Sequence, residues 1–287
     1  MSTTTNSQTD LQKAFITMIF AFAISVVAQQ IADFFIVATN NWTSPAPSGK
    51  VFDLHFLKLV AAGTHLLLAL LMISISWIMW SRSQAAGHRT DVQEIFSIKF
   101  ATFIMEVLLV TLYFSLSKSV EGDFSSYSKD KTLESYLTPS SAKPEALQMF
   151  LIFCIFATWD LIVDIWKSPT NPLSQGAWKI LDFLAGVITY CSASIICAIG
   201  AWLIYHITPE NGTPQLAIAG DVALISLLFL FNQGKILEFH LFKVFPLQET
   251  RNNTKRTPTR KQYIIISFFL ISYLLCTAAI KLPCFLK

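Results

Sequence analysis

The stretch IFSIKFATFIMEVLLVTLYFSLS, residues 95 to 117, decides the fold: it is an apolar run with a carboxylate, Glu106, at its centre. A helix rises 1.5 Å per residue, so roughly 20 apolar residues cross a hydrocarbon core about 30 Å thick, and this run is long enough. Glu106 then lies near mid-bilayer. An ionisable side chain at that depth costs about 2.5 to 3.5 kcal/mol on insertion scales, so it is expected to face other helices and to find a partner there. One such helix predicts a bundle.

The rest of the chain is in keeping with that reading. Of its 287 residues 53% are hydrophobic and 14% charged, where a water-soluble domain carries about a quarter charged. So much apolar surface has no place in one soluble core, and the membrane is the expected solvent. The formal net charge of +3 says little about partners, because the distribution of basic residues between loops carries the information. Five cysteines, Cys154, Cys191, Cys197, Cys276 and Cys284, form no CxxC pair and read as small packing residues. Met1 to Asp10 is rich in Ser and Thr without a basic flank, and the apolar run behind it reaches Val37, too long for a signal peptide. The first helix is expected to stay in the protein.

The expected fold class is therefore all-α, a polytopic transmembrane bundle of about seven spans. These run from Gln12 to Val37, Leu54 to Trp80, Ile95 to Ser117, Leu147 to Trp166, Ala177 to His206, Gln215 to Phe245 and Gln262 to Phe285. Residues 1–11 form an N-terminal segment and residues 12–286 the bundle, with a Ser-rich loop at 118–146 and a basic loop at 247–261. Arg82, Arg89, Lys167, Lys179 and the group from Arg251 to Lys261 fall on one side. The positive-inside rule makes that side cytoplasmic, with a cytoplasmic N-terminus, an external C-terminus and an external loop at 118–146, in an integral plasma (inner) membrane protein. The basic loop has no interleaved aromatic residues, so lipid headgroups and not nucleic acid are its expected neighbours. A homo-oligomer or a membrane-protein partner is compatible with the sequence.

Polar residues inside the spans carry the functional reading. Ala21, Ser25, Gln29 and Asp33 form a stripe at steps of four on span one, the pattern of a close helix–helix interface. On span two Lys58, Ala62, His65, Ala69 and Ser76 form another seam, and on span three Lys99, Thr102, Glu106 and Tyr113 share a face. His65 and Glu106 both read as central, so His65 is the first expected partner of Glu106, as a satisfied core pair or a proton relay. Asp160, Asp164, Asp182, Asn232, Lys235 and Glu238 gather toward the cytoplasmic ends of spans four to six, as interhelical ion pairs or an acidic vestibule for cations. Asp33, Asp221 and Lys281 lie toward the opposite ends and read as structural ion pairs. Gly234, between polar residues of span six, marks either a helix break or a close approach.

No phosphate loop, GxSxG elbow, HExxH motif or GxGxxG fingerprint is present, and no metal or cofactor is expected. The leading function is a channel- or transporter-like protein moving a proton, small cation or small solute, with Glu106, His65, Asp160, Asp164, Asp182, Asn232 and Lys235 as transport or gating candidates. A non-enzymatic membrane effector, sensor or assembly partner, for example a stress or defence component, is the alternative. A membrane transferase holding Mg²⁺ between Asp160 and Asp164 is the third.

Overall fold

The computed structural model describes residues 3–42, 54–85, 97–118, 141–162, 180–210, 212–241 and 260–285. These residues form seven helices and no strand: α1 (Thr3–Trp42), α2 (Leu54–Ala85), α3 (Ile98–Lys118), α4 (Lys143–Asp160), α5 (Ile180–Ile207), α6 (Pro214–Leu241) and α7 (Arg260–Phe285). Five of them, α1, α2, α5, α6 and α7, contain stretches long and apolar enough to cross a membrane, and α3 holds a shorter apolar stretch, Phe100–Leu116. The described residues thus form an all-helical bundle whose apolar helices suit a membrane.

Helix ends depart from the expected spans where polar signals were discounted. The helix of α1 begins at Thr3, inside the segment expected to precede it. The fourth helix begins at Lys143, four residues before Leu147, because Pro144 sits in its first turn with Glu145 beside it. Proline is preset for a helical φ there and its missing N–H is no loss; the acidic side chain faces the positive end of the helix dipole. Pro214 opens α6 in the same way, and its first turn closes on Thr213 O through the N–H groups of Leu216 and Ala217. Asp164 and most of the basic loop at 247–261 lie outside the described residues.

Three helices, α2, α4 and α6, build the middle of the bundle. α6 packs against α7, α5 and α2, while α4 packs against α5 and α3, and α1 covers α2 and α3. One continuous core runs through them, including Leu68, Met72, Met149, Phe153, Leu228 and Phe231. Small residues set the α5–α6 distance. A Cβ added to Gly234 would come within 2.8 Å of the Ala193 Cβ, and one added to Gly200 within 2.8 Å of Leu227 Cδ1. α6 runs unbroken through Gly234, so this glycine serves close approach and not a helix break.

The outermost helices present apolar side chains outward, Met18, Phe22 and Phe35 on α1 and Ile264, Phe268 and Leu275 on α7, each at least 60% exposed. An apolar surface of this extent belongs against lipid. The polar stripe on α1 is a correction to the sequence reading. Ala21, Ser25 and Gln29 are exposed, and the face that packs inward is Ile16, Phe20, Ala23 and Val27. Ser25 satisfies its hydroxyl on its own helix by donating to Phe22 O at 2.7 Å, which removes the need for a partner helix.

Candidate functional site

Two clusters of buried ionisable groups stand at opposite ends of the central helices. The first joins α2, α4 and α6. His65 Nε2 lies 3.3 Å from Glu145 Oε1, and its Nδ1 lies 3.5 Å from Asp221 Oδ1. Thr64 donates to Asp221 Oδ2 at 3.0 Å. All three ionisable residues are at most 3% exposed. One imidazole and two carboxylates from three different helices thus meet inside the bundle, with the closer contact between His65 and Glu145.

Above it, the α4 start is fastened to the α5–α6 turn. Ser141 donates to Pro209 O at 2.6 Å, and Lys143 Nζ bonds Glu210 Oε1 at 2.9 Å. The Lys143 ammonium holds the Glu210 carboxyl below its ordinary range, through the hydrogen bond first and the charge second.

The second cluster joins α4, α5 and α6. Lys235 Nζ donates to Asp160 Oδ2 at 2.5 Å and to Tyr190 O at 2.8 Å, and Ser194 donates to the same Asp160 oxygen at 2.8 Å. Asp160 also lines a cavity of about 70 Å³, shared with Ser76 and Trp80 of α2, Glu106 and Tyr113 of α3 and Phe20 of α1. Phe156 and Trp159 of α4 complete its aromatic wall. Glu106 is 4% exposed and Asp160 5%.

The clusters are far apart. Glu145 and Asp160 lie fifteen positions apart on α4, about 22 Å of helix, and Asp221 and Lys235 fourteen on α6, about 21 Å. Met149, Ile152, Phe153, Leu224, Leu228 and Phe231 fill the interval, all buried, with the Phe153 and Phe231 rings 4.9 Å apart.

The expected pairing of Glu106 with His65 is corrected by this geometry. Glu106 stands level with Ser76 and Trp80, and His65 lies eleven residues before Ser76, about 16 Å along α2. Asp221 is likewise placed with His65 and Thr64, while Lys281 is exposed on α7 and Asp33 is half-buried on α1. Asp160 and Lys235 come together, and Asn232 is half-buried one turn away on α6. Asp182 lies in the first turn of α5, with its side chain outside the described residues, as are Asp164 and the side chain of Glu238. For the paired-aspartate reading, Asp160 is already engaged by an ammonium, and among the described residues no three His, Cys, Asp or Glu side chains converge as metal ligands.

Sequence reasoning missed Glu145, which it left in the loop at 118–146, and did not place Ser194 in the Asp160 cluster. The Pro144-Glu145 helix-start signal would have placed Glu145 on a helix. Compared with protein-family models, curated proteins and solved structures, the chain matches none of them.

Proposed function

We propose that the protein is a membrane transport protein of seven spans that moves a proton or a small cation between two buried sites, the His65 cluster and the Glu106–Asp160 cavity. One observation supports it above the others: the two sites lie on the same central helices α2 and α4, at opposite ends, with an apolar plug between them. Charged groups buried in spanning helices are expensive, and interhelical anchoring alone needs neither a carboxylate pair around one imidazole nor a carboxylate-lined cavity. A transported cation would meet carboxylates at both ends and pass the Phe153–Phe231 layer only when the helices shift. By the positive-inside rule, the basic loop residues favour a cytoplasmic Lys235 end and an external His65 end.

The test is flux in liposomes carrying the purified protein, followed with pH-sensitive and potential-sensitive dyes, wild type beside Glu106→Gln and His65→Gln. The expected result is a cation or proton flux that both variants reduce at least tenfold with the folded protein retained. Absence of flux from folded wild type across a range of pH and potential overturns the proposal.

A further inference from the structure

We infer that Asp160 and the Tyr190 carbonyl form a binding site for a small monovalent cation, which the Lys235 ammonium fills in this structure and which a free ion enters by displacing it. The inference deepens the transport reading by naming the inner ligands and the class of ion, and it rests on that reading only for the claim that the ion moves on.

The site is already drawn around a positive charge. Lys235 Nζ of α6 stands 2.5 Å from Asp160 Oδ2 of α4 and 2.8 Å from Tyr190 O of α5, so oxygens from two helices converge on one point. Ser194, 0% exposed, donates to the same Asp160 oxygen and fixes the direction of the carboxylate. α4 ends at Asp160, so the negative end of its dipole adds to the carboxylate charge. A monovalent ion that takes the place of the ammonium leaves the charge of the site unchanged. A divalent ion would add a charge, and a neutral solute would strand the carboxylate, which burial penalises.

Both the exit of the lysine and the entry of the ion have room. Lys235 lies six residues before the end of α6 at Leu241, about 9 Å of helix, so its four-carbon stem can carry the ammonium toward the headgroups. Its side chain is 13% exposed, so the way out is open. Asp160 also lines the cavity of about 70 Å³, together with the Ser76 and Tyr113 hydroxyls. One water needs roughly 10 to 15 Å³ of such space, so there is room for a few waters to complete the shell of an ion held by two protein oxygens. The lysine also sets the affinity. A free ion binds only in the fraction of molecules whose lysine has left, and its apparent affinity falls by that fraction.

The experiment reads Lys235 directly, by reductive methylation of the full-length protein in nanodiscs with formaldehyde and a borane reductant, quantified at each lysine by mass spectrometry. Lithium, sodium or potassium chloride replaces choline chloride at constant ionic strength and pH, the choline ion being too large for the place of an ammonium. At least one of the three ions is expected to raise labelling of Lys235 at least threefold and saturably, with Lys261, exposed at the start of α7, unchanged. Asp160→Asn gives fast labelling of Lys235 in choline that the ions do not alter. Lys235→Ala vacates the site, so the same ion raises its unfolding midpoint with half-saturation at least tenfold below that of wild-type labelling. Where Lys235→Ala fails to fold, labelling of the wild type decides alone. Labelling of Lys235 that no ion changes, an equal rise at Lys261, or a folded Lys235→Ala indifferent to all three ions overturns the inference. Proton flux with ion-insensitive labelling sinks the inference and leaves the transport reading intact. Ion-dependent labelling without any flux supports the inference and removes the transport reading.

Discussion

Replacing Lys235 by methionine tests the inner cluster directly. The ammonium is 13% exposed and the Asp160 side chain 7%, so neither is freely solvated. Methionine keeps the length of the stem and loses the bonds to Asp160 and to Tyr190 O. Asp160 then retains only the Ser194 hydroxyl among these partners, one neutral hydrogen bond to a full charge. Removing one member of a buried ion pair costs about 3 to 5 kcal/mol, because the other charge is left buried without compensation. For a protein of this size that corresponds to a fall in the unfolding midpoint on the order of 10 °C. The assay is thermal unfolding in detergent of wild type, Lys235→Met, Asp160→Asn and the double variant. Since the penalty lies in the stranded charge, Asp160→Asn added to Lys235→Met is expected to recover all but about 1 kcal/mol, a coupling large enough to read from a double-mutant cycle. Equal stability of Lys235→Met and wild type, or no recovery in the double variant, would refute the reasoning.

Three further outcomes follow from the packing and the loop contacts. Gly234→Ala sets a backbone-borne Cβ against the Ala193 Cβ, so it is expected to cost about 1 to 3 kcal/mol, whereas Gly200→Ala meets the end of the Leu227 side chain and costs less; thermal unfolding ranks the two. Tyr273→Phe removes the 2.9 Å donation to Gly200 O and is expected to loosen α7 by about 1 kcal/mol, seen as faster proteolysis between α6 and α7. The Glu210 carboxyl titrates below its ordinary value, so the stabilisation from Lys143 is present above that ordinary value and lost as pH falls through the depressed one; Lys143→Ala returns the titration to the usual carboxylate range, read by NMR of labelled glutamate side chains.

Depth was legible in the sequence and direction was not. Counting residues from the ends of apolar runs put Asp160, Asn232 and Lys235 at one level, and the structure joins Asp160 to Lys235. Depth failed for His65 and Glu106, because each was judged from the centre of its own span and not from the level at which α2 and α3 face each other. Glu106 lines one cavity with Ser76 and Trp80, eleven and fifteen residues along α2 from His65. Direction depends on contrast between the faces of a helix, and in lipid both faces are apolar. The exposed Ser25 and Gln29 show the consequence: a stripe that reads as an interface lies outside, while the inward face of Ile16, Phe20, Ala23 and Val27 differs little in character from the lipid-facing one. Aromatic residues around the cavity come from four helices and have no common spacing, so no motif announced them.

The His65 cluster also sets a timetable for synthesis. Thr64 and Asp221 are 157 residues apart, so at about 5 to 20 residues per second the α2 imidazole enters the bilayer some 8 to 30 s before its α6 partner has been made. During that interval His65 has neither Asp221 nor, at first, Glu145. A chain arrested after α3 carries the histidine and neither of its two carboxylates. Closure of the cluster thus waits until translation has reached α6, so the three side chains meet only when all but the last helix has been made.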